Sequence, residues 1–388
     1  MDAPTRVMKA LDHEEPDRVP AFESAFTNNT IMEHYGIAAA GLSSGIDALK
    51  HLPFKTRIAN YAMSNRAWLA KGMVNSYEFL RRVKIDIGLS FVTHQQRKII
   101  KGGMIDEFGR LMKFEKYEGD GTLILGYHGG HLHSFEDYEK WERPDPNEPK
   151  RLAAFLAGKD VQKQMNNEIL SVPAIGGMME PSWEAFGLET FSRILGHPKQ
   201  AKKVFDDNGK LAVELVKILA DHGAELILIW DDYGFKNGLF MSPQNYRTYV
   251  LPWLKQICDE AHKRNSRILL HSDGDLMLIF EDIMKCGVDA LNPIEPTTAN
   301  PDYDIFKLAE KHKDKITFVG NIGPVMLAVG AVSEIEEYSK RLIRELAPGG
   351  GYIFSSGHSI NPAITVDRWE AVMRVREKYG SYPIQIPD

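Results

Sequence analysis

The amino-acid sequence predicts an α/β fold, specifically a closed (β/α)8 TIM barrel, from three observations. From about residue 160 onward, short apolar runs alternate with helical patterns, in the order expected of a parallel sheet covered by helices. Two earlier apolar runs bring the number of predicted strands to eight. No G-x-G-x-x-G motif follows the first strand, which argues against an open dinucleotide-binding sheet.

The predicted strands are short and rich in aliphatic residues, as buried strands are. They cover residues 19–23, 84–89, 169–175, 225–230, 267–270, 290–294, 315–320 and 352–355. Helices are predicted at residues 189–195, 200–222, 242–264, 276–286, 303–312, 332–346 and 366–379. Each helix would return the chain to the same edge of the sheet, so that all strands run parallel.

One segment departs from this alternation. Residues 103–126 are punctuated by Phe108-Gly109-Arg110 and Gly119-Asp120-Gly121, which predicts a β-hairpin inserted into the barrel. Residues 141–149 contain three prolines and predict a surface connection. No internal repeat or low-complexity tract is visible, so residues 1–388 are expected to form a single domain.

Composition narrows the classes of function. The chain has 388 residues, 43% hydrophobic content and a formal net charge of −6, without a basic cluster. Nucleic acid and anionic membranes are therefore not expected as partners. No apolar run reaches the roughly 18 residues of a membrane span, and no signal peptide is recognisable. Cys258 and Cys286 are the only cysteines and are expected to be buried free thiols, which indicates a cytoplasmic protein.

Side chains of the kinds that ligate metal ions stand at the ends of three predicted strands: His271, Asp273, Glu295 and His358. The carboxyl ends of barrel strands meet on one face, where active sites lie. His271 and Asp273 are two residues apart, so both side chains point to the same side. We expect the four residues to hold one Zn²⁺, which accepts such nitrogen and oxygen donors. Taken singly, each could instead bond a neighbouring loop.

Further polar residues stand at other strand ends. Asp231, Asp232 and Glu180 are candidates for orienting a substrate or transferring a proton. Asn321 and Tyr233 are candidates for contacting a substrate or cofactor. The alternatives are that the aspartates cap a loop and that Asn321 forms a turn. A candidate aromatic wall for a flat substrate, or else part of the core, is formed by Trp183, Phe186, Tyr233, Phe235 and Phe240.

The chain resembles the uroporphyrinogen decarboxylase superfamily over nearly its full length. The similarity begins near Pro16 and is strongest in Ser242-Pro243-Gln-Asn-Tyr246, in His271-Ser-Asp-Gly274, in Gly320-Asn321-Ile-Gly323 and in residues 349–362. The resemblance implies the barrel fold already predicted. It also implies one of two activities, decarboxylation of tetrapyrroles or zinc-dependent methyl transfer involving a corrinoid protein.

The decarboxylases of this superfamily carry an Arg-Gln-Ala-Gly-Arg-Tyr stretch after the first strand, whose arginines hold substrate propionates. Here that place reads Glu23-Ser-Ala-Phe-Thr-Asn28-Asn29-Thr, without an arginine. This departure disfavours a polyanionic porphyrinogen as substrate. A decarboxylase stays the first alternative, with Asp86 or Asp232 steadying a protonated intermediate and no metal required.

The methyltransferases resemble this chain at their zinc site, which reads His-x-Cys, then a glutamate in some members, then a late cysteine. His271 and Glu295 match this pattern, whereas Asp273 and His358 stand where the cysteines are expected. Imidazole and carboxylate ligands leave more positive charge on zinc than thiolates do, which favours polarisation of an ether oxygen over activation of a thiol.

The resemblance therefore implies the demethylating methyltransferase of an O-demethylase system. Such an enzyme moves the methyl group of a methoxylated aromatic substrate to cob(I)alamin. The cobalamin would be carried by a separate corrinoid protein, because this chain lacks an Asp-x-His-x-x-Gly run. A methylcobamide:thiol methyltransferase and a catalytically idle binding barrel are further alternatives. The resemblance also allows a homodimer, and it leaves open the identity of the methyl donor and the direction of transfer.

Overall fold

The protein is described by a computed structural model that covers residues 1–37, 54–118 and 121–387. Its strands are β1 (Ile87–Phe91), β2 (Gln96–Ile100), β3 (Gly103–Asp106), β4 (Arg110–Lys116), β5 (Leu123–Gly130), β6 (Leu170–Gly176), β7 (Leu226–Trp230), β8 (Gly234–Phe235), β9 (Gly238–Leu239), β10 (Arg267–His271), β11 (Ala290–Asn292), β12 (Thr317–Ile322) and β13 (Tyr352–Ser356).

The helices of the described residues are α1 (Ala3–Leu11), α2 (Asn29–His34), α3 (Lys55–Met63), α4 (Arg66–Arg82), α5 (Phe135–Lys140), α6 (Ala153–Gln164), α7 (Met179–Glu184), α8 (Leu188–Leu195), α9 (Pro198–Asp221), α10 (Pro243–Asn245), α11 (Leu251–His262), α12 (Phe280–Lys285), α13 (Ile305–His312), α14 (Pro324–Val329), α15 (Val332–Leu346) and α16 (Val366–Tyr379). A π-helical segment, Tyr246–Val250, joins α10 to α11 within the helix predicted at residues 242–264. Within the residues that the structure describes, no helix is both long enough and apolar enough to cross a membrane.

Seven parallel strands form one sheet in the order β1-β6-β7-β10-β11-β12-β13. The predicted alternation of strands and helices is confirmed, and the fold is α/β and TIM-barrel-like. Along the strands, alternate aliphatic side chains such as Leu228 and Leu269 form an inner cluster, into which Val7 and Ala10 of α1 pack. Because α1 packs into this inner cluster together with the strands, the sheet encloses a packed core.

The first predicted strand, residues 19–23, does not form a regular ladder. Its backbone nevertheless lies between β13 and the residues before β1: Phe22 N–H donates to the carbonyl of Phe354, and Asp86 N–H donates to the carbonyl of Ala21. Pro20 lacks an N–H and can only accept, which limits strand pairing here. Among the described residues the parallel sheet therefore has seven regular strands, and the predicted closed eight-stranded barrel is not confirmed.

The predicted hairpin at residues 103–126 is part of a larger unit. Strands β2 to β5 form a four-stranded antiparallel sheet, so the excursion begins earlier and ends later than expected. The predicted turn residues Gly119 and Asp120 lie outside the described residues. Arg110 of β4 pairs with Glu184 of α7 at 3.1 Å, which joins this sheet to the barrel.

Candidate metal centre

The carboxyl ends of three neighbouring strands bring the candidate site together. His271 at the end of β10 lies in register with Trp230 of β7 and with Asn292 of β11. Neighbours in register on parallel strands point to the same side of the sheet. For these three residues that side is the interior, because Leu228 and Leu269, two positions earlier on β7 and β10, belong to the inner cluster. The rings of Trp230 and His271 are 4.3 Å apart.

Asn292 determines which nitrogen of His271 is available. Its side-chain amide donates to the carbonyl of Val319 at 2.9 Å, so its oxygen faces the imidazole. Nδ1 of His271 lies 2.6 Å from that oxygen and must carry the proton. Burial lowers the pKa of His271, an effect that the nearby Asp232 opposes. The ring is therefore neutral with Nε2 unprotonated, which is the form that binds metals.

Among the described residues, the group of side chains that could hold a metal ion consists of Asp232, His271 and Asp273. One potential ligand atom from each lies within 4.8 Å of the other two, and His271 Nε2 is 3.9 Å from Asp232 Oδ1. Asp232 Oδ1 also accepts the N–H of Asp273 at 2.8 Å. At Gly274, φ is +92° and a Cβ would lie 2.3 Å from the backbone of Gly234, so only glycine lets the two strand ends approach this closely.

The cluster has an excess of negative charge. Burial, followed by the charges of Asp232 and Glu295, raises the pKa of Asp273 to about 8. Burial and the charge of Asp232 likewise raise the pKa of Glu180. Oδ1 of Asp273 is buried and has no hydrogen-bond partner among the described residues. A divalent cation would satisfy that oxygen and relieve the repulsion, and one imidazole with two carboxylates is a donor set that Zn²⁺ accepts.

The other two predicted ligands, Glu295 and His358, lie next to the cluster but not within it. His358 is half-exposed, and its Nε2 is 3.7 Å from Asp273 Oδ2. Glu295 is buried and accepts hydrogen bonds from the backbone and hydroxyl of Thr297. Neither belongs to the set of mutually close ligand atoms, whereas Asp232, predicted to contact substrate, does.

For Asp231 two roles were considered, a contact with substrate and a cap, and the structure places it as a cap. It is fully buried, and its carboxylate accepts the backbone N–H groups of Met178, Met179 and Glu180 at the start of α7. Burial raises the pKa of Asp231 to about 7, while these hydrogen bonds act in the opposite direction. A Cβ on Gly177 would collide with the carboxylate at 2.3 Å. Asp231 thus holds Glu180 in place and has no oxygen left for a substrate.

Tyr233 and Asn321 were both predicted to contact a substrate or cofactor, and the structure gives them different surroundings. Tyr233 is fully buried in the core, with its ring 5.5 Å from that of Tyr246. The side-chain amide of Asn321 donates to the carbonyl of Ile294 at 2.7 Å, and its oxygen accepts from the hydroxyl of Tyr338 at 2.8 Å. Burial leaves Tyr233 no access to a ligand. Asn321 connects two structural elements, but it also lines a separate cavity of about 370 Å³.

Three residues of the site were not predicted. Asn292 orients His271, Trp230 packs against it, and Phe91 at the end of β1 is 52% exposed with its ring 5.9 Å from that of Trp230. A polar residue inside an apolar run was the available signal for Asn292. For Trp230 the signal was its position just before two aspartates. Of the predicted aromatic wall, Phe186 is buried, whereas Phe235 is 46% exposed.

A barrel-like parallel sheet with a His–Asp–Asp cluster at the carboxyl ends of its strands defines an α/β barrel protein with a candidate metal centre. The chain belongs to the uroporphyrinogen decarboxylase (URO-D) family, because the sequence model of that family matches residues 126–379. The resemblance noted from the sequence motifs is thereby confirmed.

Individual relatives are distant. The chain is 25% identical over 281 residues to a uroporphyrinogen decarboxylase of Magnetococcus marinus, covering 68% of this chain and 72% of the relative. It is 23% identical over 193 residues to that of Chloroherpeton thalassium, covering 49% of this chain and about half (52%) of the relative's length. Among solved structures, a methyltransferase from Methanosarcina mazei superposes with a TM-score of 0.65 at 17% identity, covering 97% of this chain and 99% of that one. That likeness shows the shared fold.

Proposed function

We propose that this protein is a zinc-dependent methyltransferase that moves the methyl group of a methoxylated aromatic compound to the corrinoid of a separate protein. The observation that carries the proposal is the cluster of Asp232, His271 and Asp273, in which no thiolate takes part. The fold shared with a protein described as a methyltransferase also supports it.

His271 Nε2 and the carboxylates of Asp232 and Asp273 would hold the zinc, with Glu295 and His358 as candidates for completing its coordination. Zinc with such ligands supplies a Lewis acid that polarises the ether oxygen of the substrate. Asn292 keeps the imidazole in the tautomer that leaves Nε2 free. Trp230 and Phe91 offer aromatic surfaces next to the cluster for a flat ring.

The proposed reaction needs one proton. The O–CH₃ bond breaks, the methyl group passes to the reduced corrinoid, and the electron pair stays on oxygen, which becomes a hydroxyl. Glu180 is suited to supply the proton, because burial and the charge of Asp232 favour its neutral carboxyl form. Asp231 fixes the backbone of Glu180 and thereby the start of its side chain.

A decarboxylase is the second candidate, since the curated relatives above carry that description. Two features disfavour it. Residues 23–30 hold no arginine for propionate groups. Asp86, one candidate for steadying the intermediate, is fully buried and bonded by Arg6 at 2.7 Å and Arg18 at 2.8 Å, ahead of β1 and away from the carboxyl ends of the strands.

The thiol methyltransferase alternative is also less well supported, because no cysteine belongs to the candidate metal cluster. Cys258 and Cys286 are buried in the helical layer, and burial raises the pKa of both thiols. A direct test compares the proposed reaction with its rivals: the purified protein, loaded with zinc, is incubated with a methoxyarene and reduced corrinoid, with a thiol and methylated corrinoid, or with uroporphyrinogen alone. Release of the phenol from the methoxyarene supports the proposal, and carbon dioxide released from the porphyrinogen would support the decarboxylase.

A further inference from the structure

A cavity of about 420 Å³ opens next to the carboxyl end of β1. Its lining is mainly apolar and aromatic and includes Phe26, Leu89, Phe91, Phe114 and Leu123. Among the described lining residues, only Glu23 and Tyr77 are ionisable, and none is a lysine, arginine or histidine. The volume is at the lower end of the roughly 300–1,000 Å³ of small-molecule pockets, which suits a single ring better than a tetrapyrrole.

Aromatic contacts connect this cavity to the metal centre. Phe91 lines the cavity and its ring is 5.9 Å from that of Trp230, whose ring lies 4.3 Å from that of His271. A ring lying against Phe91 would therefore be one aromatic residue away from the metal-binding imidazole. Its methoxy group could extend along Trp230 toward the cluster.

A second connection runs along the end of β13. Glu23 lines the cavity and accepts hydrogen bonds from the backbone and hydroxyl of Ser356. Two residues later, His358 Nε2 lies 3.7 Å from Asp273. Residues that line the cavity are thus linked to residues of the candidate metal centre by two separate sets of contacts.

We propose that this cavity holds the body of the methyl donor and selects uncharged, single-ring aromatic ethers over carboxylated ones. A carboxylate moved into this lining would lose its hydration without gaining a cationic partner among the described lining residues, which is unfavourable. An uncharged hydroxyl or ether group avoids this loss, while the ring gains aromatic contacts.

The inference rests on the proposed function in that the ligand is taken to be the methyl donor. Binding and turnover are therefore measured separately. Calorimetric titration of the zinc-loaded protein, without corrinoid, compares meta-methoxybenzyl alcohol with meta-methoxybenzoate, two ligands of similar shape that differ in charge. We expect the alcohol to bind at least tenfold more tightly.

A pair of lysine variants tests whether the ligand binds in this cavity. Leu123 lines the cavity and is 38% exposed, whereas Leu125, two positions further along β5, is 42% exposed and is not among the lining residues. Both sites tolerate a lysine because its ammonium reaches solvent. Leu123→Lys should shift the affinity ratio toward the benzoate at least tenfold, and Leu125→Lys should leave the ratio within about twofold of that of the unmodified protein.

Each outcome decides the inference. Equal or tighter binding of the benzoate to the unmodified protein would overturn it, as would binding of neither ligand. Equal effects of the two lysine variants would contradict the assignment of the binding site to this cavity. If the alcohol binds as expected but its methyl group is not transferred when reduced corrinoid is added, the proposed function fails while the preference of the cavity for uncharged aromatic ethers stands.

Discussion

Nδ1 of His271 and Oδ1 of Asn292 lie 2.6 Å apart on neighbouring strands at the same register. Through this hydrogen bond a residue that is not itself a candidate ligand fixes the protonation and orientation of the candidate metal-binding imidazole. Asn292 is in turn held by the backbone of Val319 on the next strand. The sheet itself therefore holds His271 with Nε2 unprotonated, as a metal ligand would need to be.

Asn292→Ala should weaken zinc binding about 10–100-fold, because partners that orient a ligand contribute that much to metal affinity. The measurement is a competitive titration with a chelator. Asn321→Ala is a matched control, since Asn321 is also buried and hydrogen-bonded at the same end of the sheet but does not contact His271. If the two variants lost zinc affinity equally, the effect would come from general loosening of the site and not from orientation of the imidazole.

The stability of the metal-free protein should fall as pH rises. The pKa of Asp273 is raised to about 8, so the folded state holds this proton more tightly than the unfolded chain does. The resulting stabilisation is fully present below the ordinary pKa of an aspartate, about 4, declines as pH rises and is lost once pH passes about 8. Urea unfolding at pH 5.5 and 8.5, with chelator present, should show this decrease, and Asp273→Asn should reduce it. An unchanged pH dependence in Asp273→Asn would contradict the assigned pKa.

Glu180→Gln should slow methyl transfer because the glutamine side chain cannot supply a proton. A loss of about 10²–10⁴-fold in kcat is typical for removal of a general acid. The loss should be largest for an ether with a poor leaving group, such as a methoxybenzyl alcohol, and small for methoxynitrobenzene, whose phenoxide leaves without protonation. Equal losses for both ethers would assign Glu180 a role other than proton transfer.

Arg110→Met should destabilise the protein strongly. Arg110 is bonded to Asp106 at 2.7 Å and to Glu184 at 3.1 Å, and its replacement leaves two buried carboxylates without their partner. Breaking a buried ion pair costs about 3–5 kcal/mol. Arg66→Ala is the control, because the Arg66–Asp160 pair is exposed and should contribute about 0–1 kcal/mol. The free energy of urea unfolding measures both, and similar values would show that the antiparallel sheet is not fastened through Arg110.

Most of the fold could be predicted from the sequence because buried parallel strands leave a strong local signal. The run at residues 226–230 is almost wholly aliphatic and is a strand, as are its counterparts later in the chain. The segment at residues 19–23 has a similar composition, but its pairing depends on Pro20 and on contacts with β13, which are distant in sequence. The extent of the antiparallel sheet was underestimated, because strands such as β4 lack the alternation of buried and exposed side chains that makes a strand recognisable.

The site could be predicted only in part. His271 and Asp273 were identified because they end a strand two residues apart, and the structure places both in the cluster. The different roles of Asp231 and Asp232 could not be distinguished, because only the fold shows that Asp231 faces the amides of α7 while Asp232 faces His271. Asn292 was missed since its role depends on strand register.

The central claim is that Asp232, His271 and Asp273 hold a zinc ion needed for methyl transfer. The most direct measurement is the metal content and the methoxyarene demethylation of the same preparation before chelation, after chelation and after zinc is returned. We predict about one zinc per chain, loss of activity with the metal, recovery on re-addition, and neither metal nor activity in His271→Ala. Full demethylation by a metal-free preparation would contradict the account.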